Sequence, residues 1–92
     1  MAAKRAFQGK TVIVTGATGG MGSALCERFG TEGARLGLLD LDQKRIDGLA
    51  QELGSKGVDC LGHICDVTDE EQCRLAVGAM IENFGKSLTF PP

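Results

Sequence analysis

Four glycines spread over seven positions, Gly16, Gly19, Gly20 and Gly22 in the stretch TVIVTGATGGMG, are the first residues in this 92-residue chain whose spacing points to chemistry. They follow a strand-like run and precede residues at helical spacing. A strand that turns abruptly into a helix leaves backbone N–H groups unpaired at the helix start. Those donors, together with the positive end of the helix dipole, attract an anion. A diphosphate reaches them only where no side chain intervenes. Glycine clears the approach and permits the positive φ that a tight turn requires. Gly22 is also expected to let the helix lie close against the sheet.

The second such residue is Asp40, which ends the next strand-like run 20 residues after Gly20. A carboxylate there accepts hydrogen bonds from the hydroxyls of an adenosine ribose. It also opposes a 2′-phosphate, because two unit charges about 4 Å apart repel by roughly 4 kcal/mol at an effective dielectric of 20. As an upper bound, that amounts to about three orders of magnitude in affinity. Asp42 adds to the negative field, and no Arg or Lys directly follows Asp40. The pattern implies a dinucleotide site that takes NAD and disfavours NADP. A P-loop is excluded, since G-x-x-x-x-G-K-[ST] needs a lysine that is missing here. Taken alone, the glycines could be only a loop and Asp40 only a helix cap. The order of strand, glycines, helix, strand and acid favours the binding site, and Asp42 is the better cap.

The elements that must position these residues alternate. Lys10–Thr15 reads as a strand covered on both faces. Met21, Ala24, Leu25, Arg28 and Phe29 fall at helical spacing, and Gly33 closes that helix. Ala34–Leu39 is a second strand. Ile46, Leu49, Ala50 and Leu53 make a helical stripe, with Asp42 as its cap and Gly54 as its stop. Val58–Cys65 is a third strand. Thr68 to Glu71 forms a capping box that opens a helix with Cys73, Val77, Met80, Ile81 and Phe84 on one face. The order β-α-β-α-β-α predicts an α/β fold, a partial three-layer Rossmann-type parallel sheet with strand order 3-2-1.

Composition narrows the function. Hydrophobic residues at 42% and charged residues at 24% are ordinary for a globular domain. The net charge of -2 gives no basic surface for nucleic acid, so no nucleic-acid partner is expected. No apolar run is long enough for a membrane span, and MAAKRAFQGK is not a secretory signal, so a cytoplasmic protein is expected. Cys26, Cys60, Cys65 and Cys73 include no C-x-x-C pair. The constellation Cys60, His63, Cys65 fails as a metal site because Cys60 and Cys65 point to opposite faces of a strand. No metal ligands and no disulfides are expected. His63 lies mid-strand, away from the carboxyl ends where ligands bind. Ser23, Ser55 and Ser87 have no evident His–Asp partners.

Thr15-Gly16-Ala17-Thr18-Gly19-Gly20-Met21-Gly22 resembles the T-G-x-x-x-G-x-G turn of the short-chain dehydrogenase/reductase family, and CDVTD (Cys65 to Asp69) resembles that family's D-V segment after the third strand. The resemblance covers about Phe7 to Lys86. It implies that Gly16, Thr18, Gly19, Gly20 and Gly22 line the adenosine and diphosphate, and that Met21 approaches the nicotinamide end. It also implies that Asp40, with Leu41 beside it, holds the ribose, that Asp66 bonds the adenine amino group, and that the Val67 backbone meets the ring. The family's chemistry uses N-N-A-G, a Ser and Y-x-x-x-K, which none of these residues supply; the chain has no tyrosine. Residues 1–92 therefore read as the N-terminal part of an NAD(P)-binding domain with an atypical tail, 86–92. It carries no catalytic residue and is not expected to turn over alone. An oxidoreductase's cofactor half and a stand-alone nucleotide-binding or interaction module completed by a partner both remain open. The two prolines of the tail argue against a fourth strand. The first strand is then a bare apolar edge, expected to drive self-association or homo-oligomerisation.

Overall fold

The computed structural model describes residues 7–84 and the backbone of residues 88–89. Its elements are β1 (Thr11–Thr15), α1 (Gly20–Thr31), β2 (Arg35–Asp40), α2 (Gln43–Ser55), β3 (Cys60–Ile64), α3 (Glu70–Phe84) and β4 (Leu88–Thr89). All strand pairs are parallel, and the sheet order is β3-β2-β1-β4. The partial Rossmann-type α/β sheet with order 3-2-1 is as expected, extended by one short strand.

That extension corrects the bare-edge expectation. Thr11 pairs with Leu88 and Val12 with Thr89, so the start of β1 has a neighbour. The Val12, Ile13 and Val14 side chains are buried as well. Pro91 and Pro92 come after the two paired residues, so they do not interrupt those ladder bonds. The rest of the expected tail, residues 86, 87 and 90–92, lies outside the described residues.

Alternation along the strands builds two cores. Val12, Val14, Leu36 and Leu38 join Cys26, Ile46 and Leu53 on the side covered by α1 and α2. Ile13, Leu39 and Cys65 meet Ala76 and Met80 of α3 on the other side. The stripe Ile46, Leu49, Ala50, Leu53 packs as its spacing predicts. On α3, Cys73, Val77, Met80 and Phe84 pack inward, but Ile81 is half exposed and Ala76 takes the buried place.

The face of α1 differs from expectation. Its buried residues are Gly22 and Cys26, with Phe29 packed beside them, while Met21 is 82% exposed and Ala24 and Leu25 face solvent. The cause is Gly22, where an added Cβ would stand 2.0 Å from Gly16 O and 3.0 Å from Ala17 Cα. That contact is with the glycine turn rather than with the sheet. It sets the rotation of α1, so positions four and seven residues on turn inward and Met21 turns out.

Helix ends show two smaller corrections. α2 is capped by Asp42, which accepts from the Lys44 and Arg45 amides, but it runs past Gly54, and Gly57 (φ 83°) makes the reversal. The cap of α3 is Asp69, bonded by the Gln72 amide at 3.2 Å, one residue beyond the expected Thr68. Thr68 instead turns back to Asp66, and Glu71 pairs with Arg74.

Candidate dinucleotide-binding site

The glycine turn starts at Gly16, the one glycine of the four in the left-handed region (φ 63°). Gly19 occupies the N-cap of α1, no side chain caps the first turn, and no acidic residue lies in it. The first intrahelical bond runs from Ser23 N–H to Gly19 O at 2.8 Å, so the Gly20, Met21 and Gly22 amides face the helix start, while Gly19 N–H bonds Gly16 O at 3.1 Å. At Gly20, which also has an ordinary φ, an added Cβ would meet nothing within 4 Å. The fold itself therefore makes no demand for glycine there. It is bare backbone beside open space, at a helix end that attracts anions.

Three chain segments converge on Asp40. Ala17 N–H bonds Leu39 O at 3.1 Å, tying the turn to the end of β2, and Cys65 N–H bonds Asp40 O at 2.8 Å, tying in the end of β3. The Asp40 carboxylate closes the arrangement. Its Oδ2 accepts from Thr18 N–H (2.8 Å) and Thr18 Oγ1 (2.5 Å), and its Oδ1 accepts from Leu41 N–H (2.8 Å). The Thr18 hydroxyl first, then the Leu41 and Thr18 amides and the charge of Arg45, hold this carboxyl below its usual range against an opposing push from burial. A carboxylate has about four lone-pair sites, so a sugar hydroxyl can still bond there.

Arg45 is the residue sequence reasoning missed. Its Nη2 donates to Thr18 O at 3.1 Å, so its charge lies beside the Asp40 carboxylate. No cation directly follows Asp40, but the first turn of α2 swings this one back across the turn. The signal available was its place three residues after the Asp42 cap.

At the end of β3, Asp66 Oδ1 accepts from Thr68 N–H (2.9 Å) and Thr68 Oγ1 (2.7 Å). The hydroxyl first, then the amide, lower the Asp66 pKa. Met21, Leu41 and Val67 stand 82%, 66% and 57% exposed at the starts of the segments that follow β1, β2 and β3. The structure thus brings Gly16, Thr18, Gly19, Gly20, Gly22, Asp40 and Leu41 to one end of the sheet. Met21, Asp66 and Val67 lie at the same end, on the flanks.

Cys60 packs with the α1/α2 core and Cys65 with the α3 core, on opposite faces. His63 is the penultimate residue of β3 and pairs with Leu39, so it lies near the carboxyl end of the strand rather than mid-strand as expected; its Nδ1 lies 2.7 Å from Ile64 O. Among the described residues, no group of three or more His, Cys, Asp or Glu is arranged to hold a metal. No helix among them is long and apolar enough to cross a membrane.

A sequence model of the short chain dehydrogenase family matches residues 10–88. Tropinone reductase-like 3 from Erythroxylum coca is 34% identical over 82 residues, covering 89% of this chain and 32% of the relative. The structure of NAD+-bound xylitol dehydrogenase superposes with a TM-score of 0.84 at 35% identity, over 90% of this chain and 33% of that one. L-Sorbose reductase from Gluconobacter frateurii, complexed with NADPH and L-sorbose, gives 0.86 at 30% identity, over 94% and 34%. The chain spans about a third of the length of the curated relatives it matches. With the family model matching nearly its whole length, and with the glycine turn and the acid ending β2 placed as described, the chain belongs to the short-chain dehydrogenase family.

Proposed function

We propose that this chain is the dinucleotide-binding portion of a short-chain oxidoreductase, holding the adenosine diphosphate end of NAD(H) for hydride transfer to or from an alcohol or ketone. The observation that carries the reading is the uncapped start of α1 at Gly19 and Gly20, beside open space and joined to Asp40 through Thr18. In this reading the first-turn amides hold the diphosphate, with the helix dipole behind them. Asp40 accepts from the ribose, and Thr18 fixes the carboxylate for that task. Asp66 bonds the adenine amino group, Val67 meets the ring, and Met21 faces the nicotinamide side. The cofactor supplies the hydride; no residue of this chain is assigned a catalytic role.

NAD is the preferred cofactor, because Asp40 would face a 2′-phosphate with like charge. Arg45 softens that preference, so the discrimination falls below the bare-charge bound of about 4 kcal/mol. A cytoplasmic location belongs to this reading, and four free cysteines suit a reducing compartment. Self-association through β1 would use Ile13–Thr15, which the β4 register does not reach.

A paired titration of NAD and NADP tests the reading. The unaltered chain should bind NAD more tightly. Asp40→Ala should weaken NAD binding and narrow the gap to NADP. Selectivity that does not change in the variant would overturn the role given to Asp40.

A further inference from the structure

One pair of nucleophilic side chains lies outside the proposed cofactor contacts. Cys65 directly follows β3 and is 2% exposed, whereas Cys73 lies in the first turn of α3 and is half-buried. Their sulfurs are 3.8 Å apart. Cys73 Sγ also lies 3.6 Å from Val67 O and 3.8 Å from Asp66 O. The two cysteines thus close the base of the loop that presents Asp66 and Val67. The remaining two, Cys26 and Cys60, belong to the core on the opposite side of the sheet, and Cys60 Sγ donates to Ala50 O.

We propose that Cys65 and Cys73 form an oxidation site for a peroxide, which joins them in a reversible intrachain disulfide at the base of the Asp66–Val67 loop. The half-buried Cys73 is the one a small oxidant reaches. Its thiolate sulfur attacks one peroxide oxygen, an S–O bond forms, the O–O bond breaks, and the departing hydroxide takes up a proton as water. Cys65 sulfur then attacks the Cys73 sulfenic sulfur. An S–S bond forms, the S–O bond breaks, and a second water leaves with the Cys65 proton. Two thiols lose two electrons, and one peroxide is reduced to two waters. Burial first, then the hydrogen bond and charge of Cys73, push the Cys65 thiol up to about 11, which with its 2% exposure makes it the poorer first nucleophile; its sulfur, 3.8 Å from Cys73, is placed for the second step.

A disulfide bond is about 2.05 Å long, so the sulfurs must close by about 1.8 Å. The end of β3 is anchored by the Cys65 N–H bond to Asp40 O, so the adjustment falls on the loop and the first turn of α3. One consequence rests on the proposed function: Asp66 and Val67 move, and the oxidised chain binds NAD more weakly than the reduced one.

The test treats the 92-residue chain with hydrogen peroxide, blocks residual thiols and maps peptides by mass. The expected product is a Cys65–Cys73 linked peptide lighter by two hydrogens and reversed by dithiothreitol, with the free thiols falling from four to two. Cys65→Ser should stop at a sulfenic acid on Cys73, caught by a dimedone probe, and Cys73→Ser should keep its thiols. No linked peptide, a link between other cysteines or between chains, or over-oxidation of Cys73 without a link would overturn the proposal. The link is read without ligand. If it forms and neither redox state binds NAD, the functional reading fails and the oxidation site stands. If the two states bind NAD equally, the coupling to the cofactor is refuted.

Discussion

Alanine at Gly20 and alanine at Gly22 should have opposite consequences, although the two positions share one turn. At Gly22 the new Cβ would lie 2.0 Å from Gly16 O. Carbon and oxygen need about 3.3 Å or more, so the turn and helix must part by about 1.3 Å. The turn is held by Ala17 N–H to Leu39 O, by Gly19 N–H to Gly16 O and by Thr18 to Asp40, so parting strains those bonds. Overpacking costs about 1–3 kcal/mol and the strained bonds, weakened rather than broken, together about 2 kcal/mol, against a helix-propensity gain of up to about 1 kcal/mol. The net loss is about 2–4 kcal/mol, and Tm should fall by roughly 10–25 °C for a chain of this size. At Gly20 the Cβ meets nothing, so stability should hold or rise by about 0.5 kcal/mol. The methyl nevertheless stands at the helix start, and NAD binding should weaken by about tenfold or more, equal to about 1.4 kcal/mol. Thermal melts and calorimetric titration of both variants decide the matter. A Gly22→Ala chain melting like the parent refutes the close approach. A Gly20→Ala chain binding NAD like the parent refutes the diphosphate site.

Two further outcomes follow from the charges around Asp40. Its carboxyl is held below the usual range in the folded chain, so its contribution is present above the unfolded value of about 3.9 and is lost as pH falls through the folded value. The Tm gap between the parent and Asp40→Asn should therefore stay constant from neutral pH down to about pH 5 and shrink in stronger acid. A gap that stays the same in melts carried well below about pH 4 refutes the role of the ionised form. Arg45→Gln removes the cation beside this carboxylate, so NADP binding should weaken more than NAD binding in paired titrations. Equal weakening of both would show that Arg45 only braces the turn.

The glycine turn, Asp40 and the Asp42 cap were legible in the sequence because each is a local event: a chain reversal, a strand end, a helix start. The inward face of α1 was not. Counting apolar residues selects Met21 and Leu25, whereas the Gly22 contact with Gly16 orients the helix and leaves both exposed. Gly54 was expected to stop α2, but glycine alone does not fix a stop: the helix runs to Ser55, and the positive φ falls at Gly57. Thr68 and Asp69 are neighbouring cap candidates, and the Asp66 turn claims the first. Arg45 was missed because its place after the Asp42 cap puts it in the first turn of α2 but does not reveal its bond to Thr18, 27 residues away in the chain. The short β4 was not legible because two paired residues, Leu88 and Thr89, are too few to show a strand period, and prolines follow them in the sequence.

The most direct measurement is an amide NMR titration of the isotopically labelled chain with NAD. The account expects the largest shifts at Gly19, Gly20, Met21 and Gly22, with a second group at Asp40, Leu41 and Val67. Shifts centred elsewhere, or none at saturating NAD, would contradict it.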